Sequence, residues 1–183
     1  MLKAILARQL DRFEQAWSYD ASYLRRLLAA NPVSVLKFSL VSGMAPRRAA
    51  PLGAVAAAEI VATLSEDCGS CVQIVVDRAM AEGLSPDVLR AILDGDLEAM
   101  GEEAAIACRF ARATLDRDLE AADRHRDDIL RLWGERGLAA IALALTTARL
   151  YPTLKYALGY GRTCTQVAVG DEPLVLTPRR SSL

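Results

Sequence analysis

Two cysteines separated by a glycine and a serine, Cys68-Gly69-Ser70-Cys71, form the short motif of this sequence whose residue types and spacing could do chemistry. In the first turn of a helix, residues three apart share one face, so both thiols can approach disulfide geometry. Asp67 stands where an N-cap is expected. A helix N-terminus offers unpaired N–H groups and the positive end of the dipole, and both stabilise a thiolate and lower its pKa. A thiolate attacks a peroxide or a disulfide, and the neighbouring thiol resolves the product as a disulfide. Gly69 and Ser70 are small enough to let a partner molecule come close. The competing readings are two buried structural cysteines or a metal site. A metal needs more ligands. Cys108, Cys164 and His125 are the other soft candidates, and none repeats a ligand spacing. Cys108 lies on a patterned helix and belongs in a core; His125 lies in a charged run and belongs on the surface. No nucleotide-binding glycine fingerprint, phosphate loop, flavin or haem signal stands out, so no cofactor is predicted.

The elements that must position this pair read as helices. Leu2, Ile5, Leu6, Leu10, Phe13 and Trp17 recur at helical spacing. Asp20 or Ser22 caps a second helix through Leu28, and Asn31-Pro32 opens a third from Val33 to Leu40. These helices form an N-terminal arm over residues 1–44, expected to pack on the main domain. Gly43 to Pro51, with two prolines, a glycine and two arginines, is the clearest linker. The main domain is assigned to residues 52–161. In it an alanine-rich helix (Gly53 to Leu64) breaks at Ser65 to Gly69, and a cysteine-bearing helix runs from about Ser70 to Glu82. Ser85-Pro86-Asp87 starts a short helix that Gly95 ends. Helices from Glu102 to Leu115 and Leu119 to Trp133 follow. Gly137 to Leu150, apolar nearly all round, is predicted to be the most buried, with Tyr151-Pro152 kinking or ending it. Residues 162–183 read as an irregular tail with some alternation in Val167, Val169, Leu174 and Leu176. Without a strand series or a repeat, the fold class is all-α.

Composition narrows the partners. Hydrophobic residues make up 52% of the 183, an excess that predicts a large core or a subunit interface, hence a homo-oligomer. Lys and Arg number 22 against 23 Asp and Glu, a balance that does not suit a polyanion. Aromatics are only 5%, which gives few platforms for stacking bases. No nucleic-acid partner is expected, and Arg25-Arg26, Arg47-Arg48 and Arg179-Arg180 read as solvated surface. Lys3 and Arg8 interrupt the first apolar stretch, and the run from Leu138 to Ala148 falls short of the ~20 residues of a membrane span, so neither a secretory leader nor a membrane partner is predicted. The expected compartment is the cytoplasm, where reducing conditions disfavour structural disulfides.

The stretch Ala81 to Asp96, Ala-Glu-Gly-Leu-Ser-Pro-Asp-Val-Leu-Arg-Ala-Ile-Leu-Asp-Gly-Asp, follows the cysteine helix with a glycine stop and then a Ser-capped short helix ending in Gly-Asp. In that order of features the chain resembles the alkylhydroperoxidase D / carboxymuconolactone decarboxylase-like family, as a divergent member, from about Ala54 to Gly161. The resemblance implies an all-helical fold, a homo-oligomer that is a trimer or hexamer, and a thiol peroxidase or disulfide reductase. Its substrate would be a peroxide or small disulfide, with a separate thiol as electron donor. The redox branch of the family carries a histidine four residues after the second cysteine and a glutamate about twelve before the first, which together relay a proton. Those positions here hold Val75 and Ala56. Glu59, one turn on from Ala56, and Glu66, beside the pair, are the candidate substitute bases, so the candidate catalytic set is Cys68, Cys71, Glu59 and Glu66. Gln73 is an unexpected polar residue within Val72 to Val76, facing either the site or an interface. Two further readings stand beside the oxidoreductase: a non-enzymatic helical oligomer that keeps the fold but lacks the relay, and a cysteine-independent lyase.

Overall fold

A computed structural model describes residues 1–161, 166–170 and 172–175. Cys164, Leu176, Arg179 and Arg180 lie outside the described residues. The elements in order are α1 (Leu2–Trp17), α2 (Ser22–Ala30), α3 (Pro32–Ser39), α4 (Leu52–Leu64), α5 (Gly69–Ala81), α6 (Pro86–Asp94), α7 (Glu102–Asp116) and α8 (Leu119–Ala157), then strands β1 (Gln166–Val169) and β2 (Glu172–Val175). Two 3₁₀ turns, Leu40–Gly43 and Arg47–Ala49, occupy the linker. The domain is all-α apart from one hairpin.

The local signals for helix ends are realised in several places. The Asn31 side chain accepts hydrogen bonds from the Val33 and Ser34 amides at 3.1 and 3.2 Å, with Pro32 in the first turn. Ser85 Oγ accepts from the Val88 amide at 3.3 Å with Pro86 behind it, and Gly95 closes α6 in the left-handed conformation at φ 76°. Asp20 accepts from the Ser22 amide at 2.9 Å while Ala21 is the N-cap of α2.

The centre of the main core is α4, where every residue from Ala54 to Thr63 is buried. Its alanines carry little bulk, so α5, α7 and α8 can close on it from several sides. The sequence pointed instead to Gly137–Leu150 as the most buried stretch. That part of α8 buries Ala140, Ile141, Ala144 and Leu145 but leaves Ala139 and Leu150 exposed. Apolar composition all round does not distinguish a central helix from one that covers a single face. Nor does α8 stop at Pro152. Its break falls at Gly134, between the expected helices Leu119 to Trp133 and Gly137 to Leu150, where φ 65° and ψ −171° suit only glycine readily, and the second helix then runs through Pro152 to Ala157. By length and composition α8 is long and apolar enough to cross a membrane, and 39% of its most apolar window is buried within the fold.

The N-terminal helices have a core of their own, built on Leu6, Leu10, Tyr19, Tyr23, Leu24, Leu28 and Val35. Ile74 of α5 and Leu154, Leu158 and Tyr160 from the end of α8 pack into it, which seats the arm on the main helices. Arg25 fastens α2 to α1 through Asp11, at 2.7 Å, and Glu14. Residues 162–183, expected to be irregular, contain the antiparallel hairpin β1–β2 with Val167 opposite Leu174. Val167 and Val169 are buried in the main core. Gln73 explains why a strand stays there. Its amide nitrogen donates to the Ala168 carbonyl at 3.0 Å and its oxygen accepts from the Ala168 amide at 2.7 Å, as a neighbouring strand would.

Candidate functional site

The site is built on the first turn of α5. Cys68 is the N-cap, and its carbonyl accepts from the amides of Cys71 and Val72 at 2.9 and 3.0 Å. Asp67, expected to be the cap, instead sits one residue earlier in the left-handed region at φ 50°. The resulting turn brings the Cys68 and Cys71 Cα atoms to 5.3 Å and their sulfurs to disulfide-bonding distance. Both residues are buried, at 6% and 5% exposure.

Three elements surround the pair. Within its own turn, Ser70 Oγ lies 3.6 Å from Cys68 Sγ. From α8, Lys155 Nζ donates to Ser70 Oγ at 2.8 Å. The next residue, Tyr156, directs its hydroxyl at the carbonyls of Glu66 and Asp67, at 2.8 and 3.0 Å, pinning the loop that enters the motif. From the α1–α2 junction, Tyr19 places its hydroxyl 3.9 Å from Cys71 Sγ and 3.4 Å from the Tyr23 hydroxyl. The Tyr19 ring also lies under the Lys155 ammonium, 5.2 Å from its centroid, within cation–π range. Burial raises the pKa of both Tyr19 and Tyr23, so both phenols keep their protons at neutral pH. Tyr19 therefore faces Cys71 as a neutral O–H group.

A cavity of about 280 Å³ opens between the arm and the main helices. Phe13, Trp17, Tyr19, Tyr23 and Leu24 form its arm side; Cys71, Ile74, Val75 and Arg78 of α5, Glu59 and Thr63 of α4, and Thr147, Ala148 and Tyr151 of α8 form much of the rest. Cys71, not Cys68, is the sulfur on this wall.

The two carboxylates that sequence reading offered as bases are engaged elsewhere. Glu59 lines the cavity but is gripped by two guanidinium groups, Arg47 from the linker and Arg78 of α5, the latter at 2.5 Å. Arg47 also holds Glu82 at 2.7 Å. Burial works against the charge on Arg47, and the attraction of Glu59 and Glu82 outweighs it, holding its pKa above the ordinary value. Arg47 is thus part of a largely buried ion-pair network and not solvated surface. Glu66 binds Arg149 of α8 at 2.5 to 2.6 Å. Neither carboxylate hydrogen-bonds to a sulfur. Val75 is an apolar part of the cavity wall and Ala56 is wholly enclosed.

Sequence reading missed Lys155, Tyr19, Tyr23 and Ser70 as neighbours of the pair. Lys155 was hidden because Tyr151-Pro152 read as a kink or the end of the helix before it. The tyrosines sit in an arm far away in sequence, and only the fold reveals that the arm closes over α5. Cys108 is a core residue of α7. His125 is half-buried on α8, 3.9 Å from Asp128. Among the described residues no group of three or more His, Cys, Asp or Glu could hold a metal ion. Comparison with protein-family models, with curated proteins and with solved structures finds no match.

Proposed function

We propose that the chain is a thiol-dependent oxidoreductase of alkylhydroperoxidase D-like type, in which Cys68 and Cys71 cycle between dithiol and disulfide. The observation that carries this reading is the close cysteine pair at the start of α5 with one sulfur, Cys71, on the wall of a cavity. The substrate is a peroxide or a small disulfide, and electrons come from a separate thiol donor. With a hydroperoxide, one cysteine of the pair attacks an oxygen as its thiolate and breaks the O–O bond. The departing alkoxide takes a proton and leaves as alcohol. The other cysteine then attacks the resulting sulfenic acid, the S–S bond forms, and water leaves. A dithiol donor reverses the bond by two successive exchanges, so hydroperoxide plus dithiol becomes alcohol, water and the donor's disulfide. With Val75 and Ala56 at the relay positions and Glu59 and Glu66 held in ion pairs, the protons move through solvent and the groups beside the pair.

The working form on this reading is a homo-oligomer, a trimer or hexamer, in the cytoplasm. The exposed apolar stripe Val33, Leu36, Leu40 and Met44 on the arm supports a covered surface. Reduction of an organic hydroperoxide by dithiothreitol tests the activity. Cys68→Ser and Cys71→Ser should each abolish turnover while leaving the helical spectrum intact, and full turnover in both variants overturns the reading. The engagement of both candidate carboxylates in ion pairs favours a second reading, a non-enzymatic helical oligomer. It predicts two thiols that stay inert to a maleimide in the native reduced protein.

A further inference from the structure

We propose that Lys155, acting through the Ser70 hydroxyl, is the positioning residue that makes Cys68 the thiolate of the pair. The inference rests on the redox reading of Cys68 and Cys71. A chain of contacts runs from Lys155 Nζ to Ser70 Oγ at 2.8 Å and from Ser70 Oγ to Cys68 Sγ at 3.6 Å. An ammonium has donors and no acceptor, so the Ser70 oxygen accepts from Lys155. The Ser70 proton is then directed away from Lys155, where a charge on Cys68 can receive it. Lys155 is itself buried at 8% exposure, which strengthens its field at the sulfur relative to a solvated lysine.

The asymmetry between the two sulfurs assigns the step. An incoming thiolate from a small dithiol bonds to Cys71, the sulfur on the cavity wall. The Cys68–Cys71 bond breaks and its electron pair goes to Cys68. The donor sulfur is oxidised into a mixed disulfide, and Cys68 is reduced to a thiolate that the Ser70 hydroxyl and the Lys155 charge receive. In the reverse direction the same thiolate closes the disulfide. Cys71 faces the neutral Tyr19 hydroxyl at 3.9 Å.

Among the described residues, several other charged and titratable groups lie around this chain. Asp20 at the α1–α2 junction interacts with Lys155 and offsets part of its charge. Tyr19 lies under the ammonium and keeps its proton. On the entering loop, Glu66 is paired with Arg149, and the Tyr156 hydroxyl serves the carbonyls of Glu66 and Asp67.

The test is a pH titration of the reduced protein carrying [13Cβ]cysteine, followed by NMR and assigned with single Cys→Ser variants. It reads each thiol without needing reagent access. Cys68 should titrate below Cys71. Lys155→Met should raise the Cys68 midpoint by about one pH unit, a tenfold loss of thiolate, and leave Cys71 in place. Ser70→Ala should move Cys68 the same way by about half as much, and Lys155→Arg should restore most of the effect. If Lys155→Met does not fold, Ser70→Ala and Lys155→Arg carry the decision. A Cys68 midpoint that ignores Ser70 and Lys155, or a Cys71 midpoint that shifts equally, overturns the proposal. The two failures separate: an insensitive Cys68 in a protein that still turns over removes only the role of Lys155. A Lys155-dependent Cys68 in a protein without turnover upholds that role and removes the oxidoreductase.

Discussion

Replacing Glu59 by glutamine removes a charge and changes almost nothing in shape. The Glu59 side chain is 5% exposed and neutralises two guanidinium groups, Arg47 and Arg78, whose side chains are 18% and 29% exposed. Deleting one partner of a buried ion pair costs about 3–5 kcal/mol, because the other charge is left without compensation. Two features lower the figure here. Arg47 keeps its second partner, Glu82, and both guanidiniums retain some contact with water. The expected loss is therefore about 2–3 kcal/mol, at or just below the lower end of that range. For a chain of this size that corresponds to a drop of about 5–10 °C in Tm. Urea unfolding followed by circular dichroism and tryptophan fluorescence should show a lower midpoint with an unchanged slope. Activity per folded molecule should persist, since Glu59 touches neither sulfur. A stability change below about 1 kcal/mol together with lost turnover would refute the reasoning and make Glu59 a proton carrier, not an anchor.

Other expectations follow from the same contacts. Gln73→Ala removes both hydrogen bonds to Ala168, so amide exchange over 166–170 should accelerate by at least tenfold while α4 and α7 stay protected; unchanged protection there would show that burial of Val167 and Val169 alone holds the hairpin. Glu14 has its pKa depressed, first by its hydrogen bond with Arg25, so its contribution is present at neutral pH and is lost as pH falls into and below the ordinary carboxylate range. α1 should loosen from α2 in that window, seen as rising Trp17 exposure by fluorescence quenching. Glu14→Gln should start looser at neutral pH and flatten the dependence; an acid transition of undiminished size would place the sensitive group elsewhere.

Much of the helical frame was legible in the sequence because its signals are local. Asn31-Pro32 and Ser85-Pro86-Asp87 cap their own helices, Gly95 supplies its own left-handed turn, and the cysteine spacing sets which face the thiols share. The hairpin was less legible, since its hydrogen-bonding partner, Gln73, is a helical residue far away in the chain. Pro152 misled for a physical reason: it removes one backbone donor and penalises a helix, but Leu154 and Leu158 beyond it pack into the arm core. The site suffered most from this. Its cysteines were visible as a pair, whereas Lys155, Tyr19 and the ion pairs that occupy Glu59 and Glu66 depend on contacts between separate elements. Composition could mark Arg47 as a linker cation but could not show a buried carboxylate waiting for it.

A working Cys68–Cys71 redox couple has a midpoint potential within reach of cellular thiol donors. Equilibration of the purified protein with defined ratios of oxidised and reduced dithiothreitol and glutathione, read by mass after thiol trapping, gives that value. A redox couple interconverts reversibly with two electrons between about −280 and about −180 mV, the span of cellular thiol oxidoreductases. A potential below about −300 mV, or a pair that does not interconvert, would mark a structural disulfide or inert thiols and rule out a thiol oxidoreductase.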